Sequence, residues 1–85
     1  MSYEEVWVAC HPIDGVQYRT ISNSKTTCEN IMLRYFLGFH SELFAFAMSH
    51  SNARELELNR ALRRGWQIRK GKLIKTKLIV EWEED

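Results

Sequence analysis

Eighty-five residues, 45% of them hydrophobic and 27% charged with a net charge of +1, hold the material for one core and exclude a disordered chain, so residues 1–85 read as a single domain. Two cysteines are too few for a disulfide framework, and the longest mostly apolar stretch, Leu43 to Met48, falls far short of the ~20 residues that span a bilayer. Glu4 and Glu5 stand where a signal peptide would be basic, so the expected setting is a reducing cytoplasm, with free thiols and no membrane.

Val6, Val8 and Cys10 alternate with Trp7, Ala9 and His11, the period of a strand. Pro12-Ile13-Asp14-Gly15 has turn chemistry, and Val16, Tyr18 and Thr20 alternate beyond it. Pairing Cys10 with Val16, Val8 with Tyr18 and Val6 with Thr20 gathers the apolar residues on one face and sets Trp7 opposite Arg19 on the other. Thr26 followed by Glu29 fits a capping box for a helix whose stripe is Cys28, Ile31, Met32, Tyr35 and Phe36. Gly38 ends it, with Phe39 folding back onto Leu33.

Ser41 caps a second helix through Leu43, Phe44, Ala47 and Met48. Ser49-His50-Ser51-Asn52 favours a break before a third helix from about Ala53 to Arg64, closed by Gly65; one continuous helix from Ser41 to Arg64 is the alternative. The last segments, Trp66 to Lys70 and Leu73 to Trp82, read as a hairpin. A Lys70-Gly71-Lys72 loop pairs Ile68 with Ile74 and Trp66 with Thr76, collecting Trp66, Ile68, Ile74, Leu78, Val80 and Trp82 on one face. The fold class is therefore α+β: an antiparallel sheet from two β-hairpins, in the order ββ-helices-ββ, with the helices packed on one face.

No zinc-ligand spacing joins Cys10, His11, Cys28, His40 and His50, and Cys10 and Cys28 fall on core-facing stripes. No phosphate loop, nucleophile elbow or metalloprotease motif is present. The expectation is a chain without enzymatic activity, metal or cofactor. Charge is the informative feature. Residues 54–77 carry nine basic groups against Glu55 and Glu57, and Glu81, Glu83, Glu84 and Asp85 follow. Arg69, Lys75 and Lys77 are expected on the sheet face away from the helices, with Leu73 and Ile79 among them. With Trp7 and Arg19 this makes Trp7, Arg19, Arg69, Leu73, Lys75 and Lys77 the candidate binding residues, of types favoured at interfaces. A near-neutral isoelectric point and the acidic tail favour a protein partner over nucleic acid. A nucleic-acid module on the basic face is the alternative, and a sponge for a small anionic ligand is a third reading.

The Val6-Trp7-Val8 strand running into His11-Pro12 and Gly15, the Thr20 strand end before a helix, and the Gly65-Trp66-Gln67-Ile68 step resemble a loose group of small phage and prophage accessory proteins of unassigned function. The resemblance covers the two ends, about a third of the chain. It implies a host-cell cytoplasmic setting and a small inhibitor or modulator of a host defence protein, acting by stoichiometric binding, and it carries over no functional residues.

Overall fold

The computed structural model describes residues 2–82. In chain order they form β1 (Glu4–His11), β2 (Gly15–Ser22), α1 (Lys25–Leu37), α2 (Glu42–Ser49), α3 (Ser51–Arg63), β3 (Gln67–Ile74) and β4 (Lys77–Val80). The strands make one antiparallel sheet in the order β2-β1-β3-β4, so β1 joins the two hairpins through seven consecutive pairs with β3, from Glu4↔Leu73 to Cys10↔Gln67. This is the expected α+β architecture, with the helices on one face.

The first hairpin keeps the expected register only near its turn. His11 faces Gly15 and Cys10 faces Val16, but Trp7 faces Ser22, three residues beyond the Arg19 of a regular ladder. Thr20 fills the resulting bulge. Its hydroxyl, wholly buried, accepts from the Ala9 N–H at 2.8 Å and donates to the Gln17 carbonyl at 2.7 Å. A side chain thus replaces the missing ladder bonds, which a buried backbone requires. In the turn, His11 Nδ1 accepts from the backbone N–H groups of Ile13 and Asp14, both at 3.1 Å. An acceptor nitrogen carries no proton, so the Asp14 carboxylate 3.7 Å away gains nothing from it as an ion-pair partner.

The helices cover the face opposite to the one expected. Ala9 is buried with Cys28, Met32, Leu33, Leu58, Ala61 and Trp66, and Trp7 and Ile68 pack against that group. Val6, Val8 and Cys10 therefore point to the helix-free side. Both stripes of β1 are apolar, and the small Ala9 is what lets α1 come close, a steric criterion that alternation does not contain. The second hairpin also differs. Its loop is Lys75-Thr76, flanked by Ile74↔Lys77, with Lys75 at φ 58°. Gly71 lies inside β3 instead, where a Cβ would stand 3.0 Å from the Ile79 carbonyl oxygen and 3.2 Å from Leu78 Cδ1. That glycine serves close backbone approach rather than a turn.

Ser24 caps α1 by accepting from the Thr27 N–H at 3.4 Å, so no Thr26–Glu29 box forms. Glu29 meets Arg54 of α3 at 2.9 Å, and Arg54 also donates to Asn30 at 2.8 Å, which ties α3 to α1. Gly38 ends α1 at φ 105°, and Phe39 packs edge-on against Tyr35. Ser41 caps α2 through the N–H groups of Leu43 and Phe44, and extended backbone at His50 splits residues 41–64 into two helices. No helix among the described residues is long and apolar enough to cross a membrane.

Candidate binding surfaces

The six candidate residues do not share a face. Arg69 and Leu73 lie on the helix-free side, Arg69 beside Val8 and Leu73 between Glu4 and Leu78. Trp7 and Lys77 lie on the helix side, Trp7 half-buried against the helical cluster and Lys77 across from Ile74. Lys75 sits in the β3–β4 turn, and Arg19 is exposed in the β2 bulge. The inverted face of β1 carries Trp7 to the helix side, and the later turn at Lys75-Thr76 reverses the faces of β4 and carries Lys77 with it.

The register instead builds two surfaces. The helix-free face carries Val6, Val8 and Cys10 from β1, Val16 from β2, Leu73 from β3, and Leu78 and Val80 from β4. Val6 and Val8 are screened by their neighbours, while Val16, Leu73, Leu78 and Val80 remain half-buried. Trp82, 54% exposed, stands at its margin with the Arg69 guanidinium 5.6 Å from the ring centroid. An antiparallel sheet covered on one side commonly shows a polar face to water, and this one does not.

The second surface lies on the helix side of β3 and β4, because the helices sit chiefly over β1 and β2. Lys70 and Lys72 of β3 rise there next to Trp7 and Glu5 of β1, with Ile79 and Lys77 of β4 beyond them. The ammonium groups of Lys25 and Lys70 lie 5.3 and 5.5 Å from the Trp7 ring centroid, and that of Lys72 lies 4.9 Å from the Tyr3 centroid. Trp7, Lys25, Lys70 and Glu81 line a cleft of about 450 Å³ together with Arg69 and Trp82 from the margin of the first surface. Among the described residues the ion pairs are Arg54–Glu29 and Arg60–Glu57, so these lysines enter none of them. Glu83, Glu84 and Asp85, the rest of the acidic tail, lie outside the described residues.

Tyr3, Lys25, Lys70 and Lys72 escaped the sequence reading. Their signal lies in the β1–β3 register, which places Lys70 opposite Trp7 across more than sixty residues of chain. The exposed Leu43 and Phe46 of α2 also escaped it, because only Ala47 of that apolar helix is buried.

The reactive groups are held quiet. Burial pushes the Cys10 thiol up against the opposing pull of Arg69. Burial also pushes Cys28 up to about 11, with Glu29 and Cys10 adding to it and a Thr20 hydrogen bond opposing. Both thiols are thus protonated at neutral pH and poor nucleophiles. Cys10 and His11 border a smaller cleft of about 280 Å³, but Nδ1 of His11 is already committed to the turn. No three His, Cys, Asp or Glu among the described residues gather as a metal site needs.

Compared with known proteins, the chain matches no family model, no curated protein and no solved structure.

Proposed function

We propose that this chain is a non-catalytic binding domain that docks a protein partner on the helix-free face of its sheet. The observation that carries the reading is the composition of that face, where Val16, Leu73, Leu78 and Val80 surround the inaccessible Val6 and Val8. Contiguous apolar surface on a small domain marks interaction sites, and Trp82 and Arg69 at its margin are of the types that anchor interfaces. Protonated, buried thiols support binding rather than chemistry. The finer reading, a phage-type accessory protein that inhibits or modulates a host defence protein in the cytoplasm, draws support from the likeness of the two chain ends to such proteins and from the stoichiometric binding such inhibitors use.

A photo-crosslinking residue placed at Leu78, in cells expressing the chain, tests the site. One dominant heterologous adduct is expected, absent when the same residue stands at Phe46 and reduced at least tenfold by Val16→Lys. Adducts to a second copy of the chain, or equal yields at Leu78 and Phe46, would overturn it.

A further inference from the structure

We infer that the helix side of β3 and β4 is a second, separate site that takes single-stranded nucleic acid, with phosphates on Lys25, Lys70, Lys72 and Lys77 and bases on Trp7 and Tyr3. The inference goes beyond the protein-docking face, because its six residues belong to the other side of the sheet and none of them is in that face, although Arg69 and Trp82 at the margin of the docking face border the same cleft as Trp7 and Lys70.

The geometry joins three features. The first is concentration of like charge. Two ammonium groups lie within 5.5 Å of one indole centroid, and a third lies two positions further along β3. Each of these lysines lacks a carboxylate within ion-pairing distance among the described residues. Glu5 across from Lys72 and Glu81 in the cleft offset only part of this charge; the remaining cations repel one another, and a polyanion relieves the repulsion while releasing its own counter-ions. Charge complementarity therefore selects an acidic occupant.

The second feature is interleaving of cations with aromatic rings. Tyr3 is 50% exposed beside Lys72, and Trp7 is half-buried between Lys25 and Lys70. Flat rings set among cations fit bases and phosphates at once, whereas an acidic peptide uses the cations alone. The ammonium groups occupy the ring faces that bases would take, and a lysine stem has the rotamer freedom to swing away and follow a phosphate. Glu81 suits the amino edge of a base better than a phosphate. The third feature is shape. Lys70 and Lys72 rise from one strand about 6.6 Å apart, and the surface is the open face of a strand pair. Paired bases cannot stack on such a platform, so the strand must be single.

The test is fluorescence anisotropy of the whole chain with labelled oligothymidylate and oligouridylate, at about 50 and about 200 mM salt. Four neutralised phosphates on a single strand give a log–log slope of about −2.8, so binding weakens roughly 50-fold between those salt concentrations. Lys70→Gln with Lys72→Gln should halve the slope, and Tyr3→Ala should weaken binding at least fivefold without changing it. Thermal melts of each variant confirm that it folds, and the single Lys72→Gln, which should lower the slope by one quarter, replaces the pair if the pair does not. Absence of binding at the lower salt concentration overturns the inference. So does polyglutamate competing as well as the oligonucleotides, which makes the surface a site for acidic protein, and so does tighter binding to duplex than to single strand.

Discussion

Thr20→Val is the sharpest test of how the first hairpin is held. The substitution keeps the volume and branching of the side chain and removes one oxygen, which accepts from Ala9 and donates to Gln17 at 2.8 and 2.7 Å. The Ala9 N–H lies in the buried interior of the sheet and the Gln17 carbonyl in a partly buried position, so each loses its partner where water is scarce. An orphaned buried donor or acceptor costs about 1–3 kcal/mol, and two of them about 2–6 kcal/mol. An 85-residue domain holds roughly 4–13 kcal/mol in all, so the substitution removes a large share of it. The melting temperature should fall by roughly 8–48 °C, at about 4–8 °C per kcal/mol for a domain of this size. Thr20→Ser keeps both hydrogen bonds and loses only a methyl, and should cost about 1 kcal/mol. Urea melts by circular dichroism measure both, and hydrogen exchange at Ala9 reports the bond itself. A Thr20→Val loss within ~0.5 kcal/mol, or below that of Thr20→Ser, would refute the bridging role.

Lys75 takes a left-handed conformation at φ 58°, so Lys75→Asn should stabilise the domain by about 0.5–1 kcal/mol; an unchanged thermal melt contradicts this. Trp66→Ala should cost about 3–5 kcal/mol, and Trp7→Ala, at the edge of the helical layer, should cost less but well above a surface change; denaturant midpoints rank the two. The Cys28 thiol titrates near 11 when folded, so the folded state holds a proton that the unfolded state releases at lower pH. Stability from this group is complete below the ordinary thiol range and declines between about 9 and about 11. Urea midpoints through that window should fall more steeply for wild type than for Cys28→Ala.

Local signals were legible and long-range ones were not. The Gly38 terminator, the Ser41 cap and the turn at Pro12 each follow from the chemistry of a few adjacent residues. The break at His50 follows in the same way, from a run of residues that prefer caps. The sheet face was misread because β1 presents Val6, Val8 and Cys10 on one side and Trp7 and Ala9 on the other, and both are apolar. Gly71 between two lysines imitates a turn, yet its use is to let the Ile79 carbonyl come close. The Thr20 bulge follows from no propensity, because a threonine at a strand end is unremarkable until its hydroxyl replaces a ladder bond. The inverted face of β1 and the Gly71 turn together scattered the candidate residues over both faces.

The pairing of β1 with β3 also governs how the chain comes to be folded. Val8 meets Arg69, more than sixty positions later, so the central contact of the sheet closes a loop that contains all three helices. Non-local pairing of this kind slows folding, since the loop entropy is lost before the contact forms. During synthesis β1 can pair with β2 alone until residues 67–74 are made, after all three helices. Through most of that time one long edge of β1 stays open, with Val6 and Val8 beside it. The nascent hairpin is therefore the form most prone to pair with another chain, and a message cut short before Gln67 should yield an aggregating product rather than a smaller domain.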